Sequence, residues 1–308
     1  SETRKETVVN RSNIQIRDPF IVTADEESTY YLYGTTDTNP WNSRGVSFNA
    51  YRSQDLEEWD GPFRVFEPGP TFWGTHDFWA PEVHRYRGRW YMFATFAAEG
   101  RKRGTQILSS DTPLGPFVPV AEGPATPADW QCLDGTLHVD PSGRPWIVFC
   151  REWVEVHDGQ ICATPLALDL GTTDGEPRVL FSASDASWTQ PRERRDGSGI
   201  RDARITDGPF LHRCVDGTLL MLWSSIGETG YVMGYARSRS GAIHGPWVQS
   251  DAPVIRADGG HGMIFRTLDG RLCLTYHAPN TTPEERFHYV EVVERDGGIG
   301  LAGGEDEH

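Results

Sequence analysis

The sequence has no apolar run long enough to span a membrane, and the 3.6-residue apolar period of amphipathic helices is nearly absent. Basic residues are scarce, with 29 Lys and Arg against 44 Asp and Glu, which gives a formal net charge of −15 at pH 7. Nucleic-acid binding depends on clustered Lys and Arg, and a basic amphipathic segment for an anionic membrane surface is also missing. We therefore expect neither nucleic acid nor a membrane as a partner, and a neutral ligand such as a sugar fits better.

Cysteine is also rare, and no two cysteines have the C-x-x-C spacing of zinc or redox motifs. Most of the five lie in apolar, strand-like runs, where Cys behaves as a small hydrophobe. Reduced, buried thiols predict a cytoplasmic protein, and the polar N-terminal segment lacks the apolar core of a signal peptide. A disulfide and secretion with a signal peptide removed before Ser1 both stay open. The five are Cys132, Cys150, Cys162, Cys214 and Cys273.

Short runs of aromatic and β-branched residues, each preceded by a turn, recur five times at intervals of roughly 60 residues. Repeats of four-stranded units in this range are typical of a β-propeller. A two-layer sandwich also has many short strands, but it would not repeat one turn-plus-polar motif. The sequence therefore predicts an all-β, five-bladed β-propeller that forms a single domain over residues 1–308. The five core runs are 30–34, 90–94, 145–149, 219–223 and 272–276.

A polar motif precedes each of these turns, at the position expected for the innermost strand of a blade. Because innermost strands line the axis of a propeller, we expect the polar side chains of the five motifs to face one funnel. Asp before Gly or Pro is also a common turn residue, so each motif alone is weak. The five polar residues are Asp18, Glu82, Asp134, Asp207 and His261.

Carboxylates that converge on one pocket suit the hydrolysis of glycosidic bonds. An inverting enzyme uses one carboxylic acid to protonate the leaving oxygen and one carboxylate to activate water, about 6.5–9.5 Å apart. A third carboxylate beside the acid raises the pKa of that acid by like-charge repulsion. Asp18, Asp134 and Asp207 could meet this demand.

The five motifs taken in order resemble those of glycoside hydrolase family 43, over essentially the whole chain. This resemblance implies a five-bladed propeller and inverting hydrolysis, often of α-L-arabinofuranosyl or β-D-xylosyl linkages in plant-type oligosaccharides or polysaccharides. The motifs are Arg-Asp-Pro-Phe at 17–20, Trp-Ala-Pro-Glu at 79–82, Leu-Asp-Gly-Thr at 133–136, Asp-Gly-Pro-Phe at 207–210 and Gly-His-Gly at 260–262.

The resemblance also implies a role for each catalytic carboxylate. Asp18 matches the general base, Asp134 matches the aspartate that tunes and orients the acid, and Asp207 stands in the place of the general acid. The family ordinarily has Glu there, in a Glu-Gly-Pro motif, and Asp is one methylene shorter. Either Asp207 still donates the proton, or a nearby Glu such as Glu152 or Glu193 does.

Other residues are expected around the substrate or an ion. His261 matches a family histidine near the axis that is often associated, through solvent, with a calcium or sodium ion, and a structural histidine is the alternative. No organic cofactor is expected. Arg286 resembles a substrate-side arginine of the fifth blade, although a surface ion pair would also explain it. The expected substrate-binding residues are Trp79, Glu82, Trp153 and Arg286, with Trp73 and Trp130 as further candidates for stacking on a sugar ring.

Three other functions fit parts of the sequence. A carbohydrate-binding propeller without catalysis is favoured by the Asp at 207, and a hydrolase of another furanoside, such as a galactofuranoside, would use the same chemistry. A WD-repeat scaffold is disfavoured because no Gly-His and Trp-Asp pair recurs in each unit. The sequence leaves exo and endo action open.

Overall fold

The structure is a computed structural model that describes residues 7–194 and 196–303. Five small antiparallel sheets form the five blades of a β-propeller, which confirms the predicted fold class. The first long strand of each blade is innermost, and these five strands contact one another around the axis. The prediction of a single domain over 1–308 stays a prediction, because its first six and last five residues lie outside the described part of the chain.

Each blade is an up-and-down sheet whose strands run outward from the axis, and blade 1 gains the N-terminal strand β1 at its outer edge. Blade 1 contains β1 (Val8–Asn10), β2 (Arg17–Ala24), β3 (Thr29–Thr35), β4 (Phe48–Ser53) and β5 (Glu58–Phe66). Blade 2 contains β6 (His76–Tyr86), β7 (Arg89–Ala98), β8 (Arg101–Ser110) and β9 (Val118–Pro119). Blade 3 contains β10 (Cys132–Val139), β11 (Pro145–Arg151), β12 (Gln160–Pro165) and β13 (Arg178–Ser182). Blade 4 contains β14 (Asp207–Arg213), β15 (Leu219–Gly227), β16 (Gly230–Ser238) and β17 (Val248–Gln249). Blade 5 contains β18 (Gly260–Arg266), β19 (Leu272–Ala278), β20 (Arg286–Arg295) and β21 (Gly298–Leu301).

Helical structure in the described residues is limited to short pieces between strands. One α-helical turn, α1 (Trp153–Val156), lies between β11 and β12. The 3₁₀ turns are Arg11–Asn13, Asp25–Glu27 and Ala183–Asp185.

The tight hairpins follow from turn residues that tolerate a positive φ. In the two-residue loop between β6 and β7, Arg87 and Gly88 have φ values of 48° and 84°, and Asp296 and Gly297 repeat this between β20 and β21 with 51° and 69°. Positive φ at both central residues is the geometry that matches the twist of two antiparallel strands. These turns therefore keep each pair of strands in register.

The hydrophobic core lies between blades rather than around the axis. Between blades 1 and 2, Phe96 packs against Phe48, Phe66 and Phe78 with ring centroids 4.8–5.6 Å apart. Because Phe96 is fully buried, we estimate that truncation to Ala would cost about 3–5 kcal/mol. The space between blades 3 and 4 is filled in the same way by a cluster that includes Trp188 and Trp223.

The ring closes where blade 5 meets blade 1, and among the described strands none is shared between these two blades. The contacts at this seam are an isolated bridge between Gln15 and Arg286 and hydrogen bonds between the blades. The Leu268 amide donates to the Tyr30 hydroxyl at 2.6 Å, and the Thr23 hydroxyl donates to the Arg266 carbonyl at 2.5 Å. Side-chain and loop contacts therefore close the propeller.

All five cysteines are buried and free, as the sequence predicted for small hydrophobic side chains. The cytoplasmic location inferred from them stays a prediction. Among the described residues, no helix has both the length and the apolar character needed to cross a membrane.

Candidate active site

Every innermost strand has the same β-bulge within its motif, where two residues of the inner strand lie opposite one of the next strand. In β6 another bulge, between His76 and Trp79, precedes it. The second residue of each motif has a left-handed backbone, with φ between 45° and 56°. We call these five positions the bulge positions and the end of the propeller where they lie the upper end. Bulges are often found next to active sites because they re-aim a side chain. The five bulge positions are Asp18, Ala80, Asp134, Gly208 and His261.

Two motif residues do not occupy the position that the sequence suggested. The bulge position of blade 2 is Ala80, so Glu82, two residues further along β6, is not the counterpart of Asp18. Asp207 is the residue before the bulge position of blade 4, which is Gly208. A Cβ at Gly208 would lie 2.6 Å from the ring of His261, so only glycine fits there without a shift.

The backbone amides of the bulge positions join neighbouring blades. In four cases the amide donates a hydrogen bond to a side chain on the second strand of the preceding blade. That side chain lies at the upper end of its strand, paired with the first residue of the motif of its own blade. The bonds run from Ala80 to Thr35 Oγ1 at 2.8 Å, from Asp134 to Thr95 Oγ1 at 2.9 Å, from His261 to Ser224 Oγ at 2.8 Å and from Asp18 to His277 Nδ1 at 3.1 Å. In the fifth case Cys150 occupies the second-strand position, and the Gly208 amide donates instead to Asp134 Oδ2 at 3.1 Å.

Asp18 is held as an ionised carboxylate. Its side chain is 12% exposed, Oδ2 accepts a hydrogen bond from Thr35 Oγ1 at 2.8 Å, and Oδ1 lies 3.1 Å from His261 Nδ1. Burial opposes the charge of Asp18, but the positive charge and the hydrogen bond of His261 outweigh it and hold the pKa well below its usual range. Asp18 is therefore ionised at any ordinary pH.

His261 is a buried cation between carboxylates. Its Nδ1 atom lies 3.1 Å from Asp18 Oδ1 and 3.7 Å from Asp134 Oδ2. Burial lowers the pKa of an imidazole, but the charges of Asp18 and Asp134 raise the pKa of His261 to about 10. The imidazolium therefore neutralises part of the negative charge at the upper end.

Asp134 and Asp207 are shifted in the opposite direction from Asp18. Burial, with the charges of Asp207 and Asp18, raises the pKa of Asp134 to about 8 against the opposing effect of His261. Burial also raises the pKa of Asp207, although His261 and a hydrogen bond from the Tyr231 hydroxyl to Oδ2, at 3.1 Å, work against it. The site thus combines one carboxyl group whose pKa is lowered with two whose pKa values are raised.

His277 orients this arrangement from below Asp18. It is fully buried, and its Nδ1 accepts the Asp18 amide, so the ring proton lies on Nε2, which is 3.1 Å from Asn280 Oδ1. Burial lowers the pKa of His277 to about 3, so this ring is neutral. The ring of Tyr231 stacks on it at 5.6 Å and 22°, which fixes the hydroxyl beside Asp207.

The two glutamates considered as alternative acids have different surroundings. Glu152 is buried and forms an ion pair with Arg103, which also pairs with Asp77 at 2.8 Å. Burial raises the pKa of Glu152, and the charge of Asp207 contributes to the rise, so Glu152 lies within electrostatic reach of the site. Glu193 is 61% exposed, with a contact to Arg201 at 3.8 Å. The geometry favours Asp207 over both glutamates as the general acid, because Glu152 is paired with Arg103 and Glu193 is exposed to solvent.

The channel is closed directly beneath the carboxylates. Phe20 and Phe210, two residues beyond the bulge positions of blades 1 and 4, meet edge to face with ring centroids 5.9 Å apart. His84 packs on Phe20 at 5.0 Å and lies 3.2 Å from the buried Glu82. Glu82 therefore belongs to this floor, and its predicted contact with substrate stays a prediction.

The other residues predicted to bind substrate, Trp79, Trp153 and Arg286, have different surroundings. The Trp79 indole donates to the Pro40 carbonyl at 2.7 Å, and Arg103 covers one face of its ring at 4.4 Å. Trp153 is half-buried at the start of α1, directly after Glu152. The Arg286 guanidinium donates to the carbonyls of Ser12, Pro283 and Glu285, so it is occupied by the seam between blades 5 and 1. These contacts favour a structural role for Arg286.

Sequence reasoning missed an exposed aromatic residue at the upper end. Trp41 is 52% exposed in the loop between β3 and β4. Arg17, next to Asp18, lies over its ring at 4.9 Å and donates to Asn280 Oδ1 at 2.5 Å. The sequence did contain a signal for this position. Trp41 follows the second strand of a blade, and the loops after second strands lie at the upper end.

The predicted axial cation near His261 stays a prediction. Because the Nδ1 atom of His261 faces Asp18, the expected association is one through solvent. In the described part of the chain, the group of three potential ligands that lies within 4.8 Å is His212, Cys214 and Glu294 instead. There His212 pairs with Glu294 at 2.7 Å, which accounts for the group without an ion.

Comparison with known proteins gives consistent matches. The sequence model of the family described as "Glycosyl hydrolases family 43" matches residues 12–294. The solved structure of an endo-arabinase from Bacteroides thetaiotaomicron VPI-5482 is 44% identical, with a TM-score of 0.87 over 96% of this chain and 100% of that one. An extracellular exo-α-(1→5)-L-arabinofuranosidase of Cellvibrio japonicus is 24% identical, over 82% of this chain and 71% of the relative. An α-L-arabinofuranosidase of Humicola insolens is 25% identical, over 94% of this chain and 62% of the relative.

Proposed function

The chain belongs to glycosyl hydrolase family 43, and from this premise we propose that it hydrolyses α-L-arabinofuranosyl linkages of a plant polysaccharide with inversion at the anomeric carbon. It is a glycoside hydrolase, as its family and its 44% identical structural relative indicate. The choice of arabinose rests on the names of the three relatives reported above. Xylosyl linkages are the second candidate within the family.

The observation that carries the proposal is the opposite shift of two carboxyl groups at one end of the propeller. The pKa of Asp18 is lowered, and that of Asp207 is raised. Titratable groups whose surroundings push their pKa values apart are suited to be base and acid of one reaction. Asp18 therefore has the properties of the base. The pKa of Asp134 is raised as well, but Asp134 is held by the Gly208 amide, and Asp207 stands in the place of the acid in the family motif, so we assign the acid to Asp207.

In the proposed reaction, a water molecule attacks the anomeric carbon while Asp18 removes one of its protons. The bond from the anomeric carbon to the leaving oxygen breaks, and Asp207 gives its proton to that oxygen. Asp134 binds the Gly208 amide beside Asp207 and lies near His261, so it orients both groups. Both carboxyl groups return to their starting states by proton exchange with solvent.

The test is hydrolysis of aryl α-L-arabinofuranosides, aryl β-D-xylosides and aryl β-D-galactofuranosides, with the product anomer followed by NMR. We expect cleavage of the arabinofuranoside with inversion. Asp18→Asn should lower kcat by about 10²–10⁴-fold, the usual contribution of a general base. Asp140→Asn is the control, because Asp140 caps the turn between β10 and β11 at the other end of the blade.

The acid is tested by the leaving group. Asp207→Asn should lower kcat strongly on a natural oligosaccharide and much less on an aryl glycoside, because a phenolate leaves without full protonation. Equal losses on both substrates would transfer the role to Glu152, and Glu152→Gln should then show the difference. An unchanged rate for Asp18→Asn would refute the catalytic scheme, and glycan binding without hydrolysis would leave a binding propeller.

A further inference from the structure

A second concave site lies between blades 2 and 3, away from the catalytic carboxylates. It is a cavity of about 630 Å³, formed by β8, the segment 120–130, β12 and the segment 170–177. We call it the blade 2–3 groove. Asp18, Asp134 and Asp207 are not among its lining residues. Its volume is within the range of about 300–1,000 Å³ that ligand sites usually have.

The groove contains a buried hydroxyl that the protein does not satisfy. Thr164 on β12 is 2% exposed, and within the described residues its Oγ1 has no hydrogen-bond partner. Leaving a buried polar group unpaired costs about 1–3 kcal/mol. The Oγ1 atom is itself covered by protein atoms, so a ligand bonds to it, and recovers that cost, only when the Thr164 side chain turns toward the groove. The neighbouring Thr126 hydroxyl, in contrast, is engaged by the Thr105 amide at 3.1 Å.

One wall of the groove is aromatic. Trp130 is half-buried, and the Arg151 guanidinium lies 4.0 Å from the centre of its ring, so one face is covered and the ring is held in place. The indole N–H has no acceptor among the described residues. A fixed aromatic ring with a free N–H can pack against a sugar ring and donate to one of its hydroxyls.

The charges of the lining indicate the class of ligand. Asp129 and Glu176 supply carboxylates, Thr164 and Thr126 supply hydroxyls, and the described part of the chain contributes no Lys, Arg or His to the lining. An anionic ligand would be repelled, and an apolar ligand would leave the hydroxyls unpaired. A neutral ligand that carries many hydroxyl groups fits both constraints.

We propose that the blade 2–3 groove binds a segment of neutral polysaccharide chain while another segment occupies the catalytic pocket. The identity of the polymer rests on the proposed function. The groove is connected to the upper end through Gln131, which follows Trp130. The Gln131 carbonyl accepts the Glu152 amide and its Oε1 accepts the Arg103 amide, both at 2.8 Å. The wall of the groove at Trp130 is thus joined to the segments that carry Glu152 and Arg103.

The experiment measures polymer binding apart from catalysis. Asp18→Asn protein is run through native gels that contain debranched arabinan, arabinoxylan or dextran, and Kd is obtained from the retardation. Adding Trp130→Ala should raise Kd for arabinan about tenfold or more, as the loss of a central aromatic contact does. Thr164→Val should raise it severalfold without lowering the stability of the free protein. Tyr86→Phe is the control, because the Tyr86 hydroxyl is also buried, with no hydrogen-bond partner among the described residues, but lies outside the groove.

The same substitutions in the active enzyme separate this proposal from the proposed function. Trp130→Ala and Thr164→Val should leave kcat/KM on an aryl arabinofuranoside unchanged and lower kcat/KM on the polymer. Arabinan retention unaffected by Thr164→Val and by a folded Trp130→Ala variant would overturn the groove as a glycan site. So would equal losses on polymer and aryl substrate. The aryl assay alone decides the proposed function, whatever the gels show.

Discussion

Replacing Thr35 by valine should separate the support of the catalytic base from the packing of the propeller. Thr35 is 1% exposed, and its hydroxyl donates to Asp18 Oδ2 and accepts from the Ala80 amide, both at 2.8 Å. Valine keeps the shape of the side chain but removes both bonds. A hydrogen bond to a charged group contributes about 1.5–3 kcal/mol, and a buried amide left unpaired costs about 1–3 kcal/mol. We therefore expect the free energy of unfolding to fall by about 3–5 kcal/mol.

The effect on catalysis follows from the freedom that Asp18 gains. Its Oδ1 atom stays paired with His261, but Oδ2 loses its fixed donor. Because a misplacement of about 1 Å at a reacting group can cost about 10²-fold, kcat should fall by about 10–100-fold with little change in KM. Thr35→Ser keeps the hydroxyl and should restore kcat to within severalfold of the parent enzyme.

Thr95→Val provides the matched control. Thr95 is fully buried and accepts the Asp134 amide at 2.9 Å, but in the described structure its hydroxyl is not bonded to a carboxylate. Its replacement should cost only about 1–3 kcal/mol, so the extra loss in Thr35→Val measures the bond to Asp18. Guanidinium unfolding gives the stabilities, and an aryl arabinofuranoside gives kcat. A parental kcat for Thr35→Val, or a Thr35→Ser variant that does not recover, would refute the reasoning.

Two further predictions concern the acid and the substrate. Tyr231→Phe removes the hydroxyl that lowers the pKa of Asp207, so the pKa of Asp207 should rise and the alkaline limb of kcat/KM should move to higher pH. A move to lower pH would contradict the contact. Trp41→Ala removes the exposed ring on which Arg17 lies, and KM for an arabino-oligosaccharide should rise about tenfold at nearly constant kcat. An unchanged KM would exclude Trp41 from the substrate site.

The fold could be predicted from the sequence because its signals are local. Turns such as Arg87-Gly88 and Asp296-Gly297 need no distant partner, since the residue types themselves permit the required positive φ. Five such units of similar length leave few architectures other than a propeller. The placement of Asp18, Asp134 and Asp207 at one end of the propeller could be predicted as well, because their motifs lie on the innermost strands, whereas their catalytic roles stay a prediction.

The exact geometry of the site could not be predicted, because a bulge depends on the pairing of two strands. When the motifs are aligned on their polar residues, Glu82 is treated as a counterpart of Asp18. In the structure the bulge position is instead the second residue of each motif, which is Ala80 in blade 2. The contacts of Tyr231 and His277 are still harder to predict from the sequence. They join strands of blades 4 and 5 to residues up to 259 positions away in the chain.

The repeated bulge suggests how one ancestral unit could diversify after duplication. All five blades keep the same backbone device, yet its left-handed position holds Asp, Ala, Asp, Gly and His in turn. The chemistry could therefore change one copy at a time, while pairing in each sheet and packing between sheets were preserved. A single residue at such a position can therefore be exchanged on a fixed ring, and Ala80 is the bulge position whose side chain now carries no polar group.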